Sequence, residues 1–205
     1  MRRTELKLRP WNISGVLVVT ASLLAWPAVG AAQTVTGQAA GVQATVFSLL
    51  GGTTLGLANT GALSGPTDAL RASQLAGNLP LAALTAEVPS ATTIGYPDQV
   101  NSVASLANLA LSIAGSTIGA DLLTSRASAI LNGGGAGSSS VSNLLLNGAP
   151  VPVSGAPNQT VSIPGGRMVI NEQLTSPTGI VVNALHITVG GVADVVIASA
   201  VAGIQ

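Results

Sequence analysis

Histidine and acidic residues are the side chains here that could carry acid–base chemistry, and they are few. The chain has one histidine, His186, and no cysteine, which excludes disulfides, thiolate metal sites and a cysteine nucleophile. Asp194 is the nearest acid to follow His186, and the Gly190-Gly191 pair between them predicts a hairpin turn. With Val189 opposite Val192, side-chain alternation places His186 and Asp194 on opposite faces of the sheet. A register shift of one residue would reverse that placement. His186 is therefore interpreted as a strand histidine with a local hydrogen bond.

The acidic residues show no spacing that singles out a catalytic pair. A glycosidase needs two carboxyl groups about 5–10 Å apart across a sugar cleft. After residue 32 the only aromatic residues are Phe47 and Tyr96, so stacking platforms for sugars are scarce. Phosphate-binding, zinc-protease and nucleophile-elbow motifs are absent from the sequence, and the acids are too dispersed for a calcium loop. No catalytic, cofactor-binding or metal-binding residue is assigned, and a secreted hydrolase is the least favoured function.

Residues 1–32 have the pattern of a bacterial-type signal peptide. Four basic residues lie within the first nine positions, and an apolar stretch covers residues 13–29. Small residues precede Ala31 and Gln33, and a signal peptidase cuts after such residues. The apolar stretch is shorter than the roughly 20 residues of a membrane-spanning helix, and Pro27 interrupts it. We therefore expect cleavage before Ala31 or Gln33, no stable membrane span afterwards, and a secreted or cell-surface location outside the cytoplasm.

The sequence is compatible with two export routes. Residues 2–7, RRTELK, resemble the twin-arginine signal, which exports folded proteins. Glu5 occupies the position where that signal usually has an aromatic residue. The general secretory route is the other alternative.

The composition after residue 32 excludes two classes of partner. Three basic residues (Arg71, Arg126 and Arg167) and six acidic residues remain, which gives a net charge of −3. A basic footprint for nucleic acid is absent, as is a polybasic patch for anionic lipid.

Turn residues between apolar runs predict an all-β fold. Asn147-Gly148 separates two such runs and favours a hairpin, because both residues tolerate positive φ. Gly190-Gly191 separates 180–189 from 192–201. Residues 133–140 are rich in glycine and serine and are interpreted as a flexible loop or linker. They divide the chain into an N-terminal part of the β-rich domain, 33–132, and a hairpin-rich C-terminal part, 141–205.

The N-terminal part is less regular, and strands are favoured there over helices. Candidate strands include residues 43–50, 53–58, 79–88 and 116–129. Residues 68–75 and 100–113 also show helix-like spacing of apolar residues. The predicted fold is an antiparallel β-sandwich or a strongly curved sheet, with one or two short helices in the N-terminal half as an alternative.

Several short motifs of the C-terminal part resemble one protein family. In order they are NGAPVPV (147–153), PNQTV (157–161), IPGG (163–166), VINEQ (169–173), VNALHITV (182–189) and ADVVIASA (193–200). Together they resemble the choice-of-anchor P proteins of bacterial envelopes, over residues 116–205. The resemblance implies an exported envelope domain without established chemistry. The sequence shows no sorting motif or hydrophobic tail before Gln205, so we expect release or non-covalent retention.

These patterns favour an exported, non-enzymatic protein of the cell envelope or extracellular matrix that acts by β-surface adhesion or assembly. A carbohydrate-binding module for a surface glycan is the alternative. The expected partners are a second copy of the chain or cell-envelope polymers.

Overall fold

Runs rich in β-branched residues, which favour a pleated backbone, form strands along most of the described chain. The computed structural model describes residues 33–48, 51–79 and 83–205. The predicted signal peptide, 1–32, lies outside them. Within the described residues the strands are β1 (Val35–Ser48), β2 (Gly51–Asn59), β3 (Ala69–Ser73), β4 (Ala76–Leu79), β5 (Leu84–Gly95), β6 (Gln99–Ile113), β7 (Ser116–Ile130), β8 (Gly134–Ser142), β9 (Leu145–Leu146), β10 (Ala149–Pro150), β11 (Gln159–Ile163), β12 (Gly166–Ser176), β13 (Gly179–Val189) and β14 (Ala193–Ile204).

The strands form two antiparallel sheets that pack face to face. Sheet A has the order β11-β12-β13-β14-β1-β2, and the main path of sheet B is β10-β9-β7-β6-β5-β3. In sheet B, β4 also pairs with β5, and β8 pairs with β7. β14 packs on β6 and β7, and β1 packs on β5 and β6. The all-β prediction is confirmed, and its sandwich form is the one observed.

Sheet A joins the two ends of the described chain. β1 pairs with β14, with Val35 opposite Ile204. Strands from both sides of residue 133 therefore share one sheet, and the two predicted parts belong to one sandwich.

The core between the sheets is aliphatic. Its fully buried side chains include Leu106, Leu123, Ile170, Leu185 and Ile187. The two aromatic residues outside the predicted signal peptide lie at the surface instead: Phe47 is 46% exposed and Tyr96 is 41% exposed. Small and branched side chains thus fill the core without aromatic rings.

In each sheet, neighbouring strands have an irregular residue at matching positions. At that residue the alternation of buried and exposed side chains along the strand shifts by one residue. In β6 the buried positions are even-numbered up to Leu106 and odd-numbered from Leu109. β7 and β13 show the same shift. Some of these irregular residues have positive φ, among them Asn108 at 49° and Asn171 at 51°. We call these the kink lines: Gly41, Asn171, Ala184 and Ala198 in sheet A, and Val88, Asn108 and Asp121 in sheet B.

Residues 100–113 form part of strand β6 instead of a helix. Leu106 and Leu109 are three residues apart and both buried, as on a helix face. The spacing arises because β6 changes its buried face at Asn108. Residues 68–75 likewise contain strand β3. The described residues contain no helix, so the helical alternative is wrong. In particular, this part of the chain has no helix long and apolar enough to cross a membrane.

The segment 133–140 is a strand over most of its length, so its prediction as a flexible loop or linker is wrong. Residues 134–142 form β8, which pairs with β7. The glycines of β8 bring its backbone close to β13 in the other sheet. A Cβ atom on Gly135 would lie 2.5 Å from the carbonyl carbon of Gly179 and 2.8 Å from the amide nitrogen of Ile180. Glycine is needed here for close approach of two backbones, which is one of its roles in strands.

The two predicted hairpins are present. Asn147 and Gly148 both have positive φ, 51° and 78°, and connect β9 to β10. β13 and β14 also form a hairpin, but Val189 lies opposite Ala193 rather than Val192. The turn therefore has three residues, Gly190, Gly191 and Val192, and the predicted register is wrong by one.

Candidate functional site

The corrected register brings His186 and Asp194 to the same face of sheet A. Thr188 lies opposite Asp194, and His186 lies opposite Val196. Positions 194 and 196 are two apart on β14 and share a face. Leu185 and Ile187 are fully buried in the core, so His186 points to the outer face, which is the face turned away from sheet B. The prediction that His186 and Asp194 point to opposite faces is therefore wrong.

His186 is held between two carboxylates from the neighbouring strands. Its Nδ1 lies 2.9 Å and 2.8 Å from the two carboxylate oxygens of Glu172. Its Nε2 lies 3.1 Å from Oδ1 of Asp194. Glu172 is on β12 and Asp194 is on β14, so the imidazole ring connects three strands. We call these three residues the histidine clamp.

The kink line of sheet A makes the contact with Glu172 possible. Glu172 lies opposite Asn183, three residues before His186. Residues three apart on a regular strand point to opposite faces. Because Asn171 and Ala184 interrupt the alternation on both strands, Glu172 and His186 lie on the same face. The Nδ2 of Asn183 donates a hydrogen bond of 2.7 Å to Oε2 of Glu172, which fixes the carboxylate further.

The clamp favours the charged form of the histidine. An ionised carboxylate only accepts hydrogen bonds, so two carboxylates at the two ring nitrogens are best matched by two N–H groups. The side chains of His186 and Glu172 are 22% and 13% exposed, whereas that of Asp194 is 40% exposed. Partial burial lowers the pKa of His186, but the hydrogen bond and charge of Glu172, together with Asp194, raise it by more. The net result is a pKa above the ordinary value of 6.5.

A hydroxyl group lies near the clamp, but its geometry does not match a nucleophile with its base. Thr188 Oγ1 is 3.5 Å from His186 Nε2, longer than the roughly 2.6–3.2 Å of a nucleophile–base pair. The same nitrogen is closer to Asp194. A general base also needs an unprotonated nitrogen near neutral pH, and the two carboxylates oppose that state. The arrangement is suited to holding strands together.

Three other acids accept hydrogen bonds from uncharged side chains. Glu87 accepts a hydrogen bond from Asn108 and Asp121 accepts one from Asn143. Asp68 accepts from Ser64. Within the described residues, no three histidine, cysteine or acidic side chains are grouped so that they could hold a metal ion.

Comparison of the chain with family models, with curated proteins and with solved structures found no match. The resemblance to the choice-of-anchor P proteins stays a prediction.

Proposed function

We propose that this is an exported, non-enzymatic protein of the cell envelope or extracellular matrix that acts by adhesion or assembly through its β surfaces. One observation carries the proposal. The single histidine has both ring nitrogens against carboxylates, and the chain has no cysteine. The side chain best suited to catalysis near neutral pH is thus engaged in cross-strand contacts.

The outer face of sheet B supports a role in surface contacts. Five hydroxyl side chains lie opposite one another on adjacent strands, and we call them the hydroxyl row: Ser73, Ser90, Ser105, Thr124 and Ser140. Adjacent strands are about 4.8 Å apart, so the row is a regular array of donors and acceptors. Such an array can form many weak hydrogen bonds to a polymer or to another protein surface. The predicted signal peptide and the family resemblance also favour an envelope location.

A glycan-binding module is the second candidate, and a groove on the same face favours it. Its lining includes Asn101, Arg126, Ser128 and Ser138. Amide, hydroxyl and guanidinium groups are the types that hydrogen-bond to sugar hydroxyls. Both candidate functions use the outer face of sheet B and involve no catalysis. They differ in the partner, which in this second candidate is a surface glycan.

Co-sedimentation with cell-wall fractions and with a panel of insoluble polysaccharides tests the proposal. We expect the protein recovered from the extracytoplasmic fraction to bind at least one wall fraction saturably, because adhesion requires such contacts. We also expect no release of sugar ends or peptides from any of them. Binding to one purified glycan alone would favour the second candidate.

The matched control is His186→Ala, assayed at a temperature where it is folded. It should bind as the wild type does, because the imidazole lies in the clamp on sheet A. Product release by the wild type that disappears in His186→Ala would show an enzyme and contradict the proposal. So would a protein that neither binds any wall fraction nor self-associates.

A further inference from the structure

The outer face of sheet B is divided into two halves of opposite charge. The strands of this sheet contain four charged residues: Arg71, Glu87, Asp121 and Arg126. All four are exposed. The arginines lie on one side of the hydroxyl row and the acids lie on the other, at the kink line.

The two arginines occupy one cross-strand row. Arg71 lies opposite Thr92 on β5, Thr92 opposite Val103 on β6, and Val103 opposite Arg126 on β7. Among the residues described, ion pairs are found only at His186. Neither guanidinium group is thus paired with a carboxylate of the described residues.

The two acids are held in place by asparagine side chains. Asn108 Nδ2 donates to Oε2 of Glu87 at 2.6 Å, and Asn143 Nδ2 donates to Oδ2 of Asp121 at 2.5 Å. A carboxylate has about four acceptor positions on its two oxygens. Each acid is thus positioned while keeping acceptor capacity for a second donor.

The hydroxyl row lies between the charged halves. On β7, Thr124 is two residues from Arg126 and three from Asp121, where the kink line crosses the strand. On β5, Ser90 is three residues from Glu87. A hydroxyl group both donates and accepts, so a row of hydroxyls can hydrogen-bond to another copy of itself.

We propose that two copies of the chain pack through the outer faces of sheet B, about a two-fold axis that runs along the hydroxyl row. Such an axis places each strand over the same strand of the other copy and exchanges the two charged halves. Arg126 then meets Asp121 of the partner subunit, and the reverse pair forms at the same time, as a two-fold interface requires. Arg71 meets Glu87 of the partner subunit with an offset of one strand, about 4.8 Å, which an arginine side chain can span.

The size of the face fits a weak, reversible dimer. Five strands spaced about 4.8 Å apart and about eight residues of about 3.3 Å along each strand give roughly 600 Å² per copy. The total of about 1,200 Å² is near the lower end for specific protein interfaces. The inference deepens the assembly part of the proposed function by naming the partner and the surface.

Charge reversal with rescue tests the dimer. Sedimentation equilibrium at low salt should show concentration-dependent dimers for the wild type. Arg126→Asp and Asp121→Arg should each weaken dimerisation by tenfold or more, because each places like charges in contact twice. An equimolar mixture of the two variants should recover dimers, since both contacts between unlike variants join opposite charges.

Arg167→Asp, an exposed change on β12 of sheet A, is the matched control and should leave the dimer unchanged. Circular dichroism checks that every variant is folded. A wild type that stays monomeric, single variants that dimerise normally, or a mixture that fails to recover dimers would each overturn the inference. A monomer that binds the acidic polysaccharide polygalacturonate through Arg71 and Arg126 would also overturn the inference. The outer face of sheet B would then bind a polysaccharide instead of a second copy of the chain. A monomer that still binds cell-wall fractions would end this inference and leave the proposed function standing.

Discussion

Replacing Gly135 with alanine is expected to destabilise the protein by about 3 kcal/mol, the upper part of the range for overpacking a close contact. The new Cβ would lie 2.5 Å from the carbonyl carbon of Gly179, 2.8 Å from its oxygen and 2.8 Å from the nitrogen of Ile180. All three are backbone atoms of β13, so no side chain can rotate away. β8 and β13 would have to separate, which would disturb the contact between the two sheets at this edge.

Thermal unfolding followed by circular dichroism measures this effect. A loss of about 3 kcal/mol corresponds to a fall in Tm of roughly 6–12 °C for a domain of this size. Gly65→Ala is the matched control, because a Cβ there meets no atom within 4 Å. We expect that control to change stability by less than about 0.5 kcal/mol. Equal Tm values for Gly135→Ala and the wild type would contradict the close packing of β8 on β13.

His186→Ala is expected to cost about 2 kcal/mol of unfolding free energy at pH 6, within the range for hydrogen bonds to charged groups. The variant leaves the Glu172 carboxylate, which is 13% exposed, without the imidazole. Because the folded-state pKa of His186 is raised, the stabilisation is fully present below about pH 6.5. It is lost as the pH rises through the folded-state pKa.

Urea unfolding of the wild type and variant at several pH values between about 6 and 9 tests this prediction, a window set by the ordinary histidine pKa. The difference between the two proteins should be largest at the acidic end and should shrink toward the alkaline end. Thr188→Val, on the same strand and face, is the control and should change stability by less than about 0.5 kcal/mol. If the loss of unfolding free energy in His186→Ala grew with pH, the pH dependence would be opposite to the one expected. That result would contradict the histidine clamp.

The class of fold follows from the sequence because its signals are local. β-branched runs favour strands, and Asn147-Gly148 has the backbone freedom that a tight hairpin turn requires. These signals do not depend on which strands become neighbours. The pairing of β1 with β14 joins residues at opposite ends of the described chain, and no local pattern specifies it.

The histidine clamp could not be derived from alternation alone. The predicted two-residue turn at Gly190-Gly191 and the observed turn, which adds Val192, differ by one residue, and that difference reverses the face of Asp194 relative to His186. The contact with Glu172 depends in addition on the kink at Asn171. An asparagine within an apolar strand is a signal for positive φ, and it is the feature that could have indicated the change of face.

The glycines of residues 133–137 show why composition led to the wrong prediction of a flexible loop or linker. Glycine-rich segments are flexible when nothing packs on them. In this fold Gly135 faces the backbone of β13, so the missing side chain allows close packing. Which of the two roles a glycine has depends on a tertiary contact that the local sequence does not contain.

The single histidine holds three strands together through contacts with two carboxylates, and on this we base the proposal that the protein acts without turnover. An NMR titration of the imidazole tests this most directly, because a chain with one histidine gives one unambiguous set of ring signals. We expect a pKa above 6.5, with protons on both ring nitrogens at pH values below that pKa. A pKa below 6.5 would show that the two carboxylates do not stabilise the charged imidazole, and it would contradict the histidine clamp.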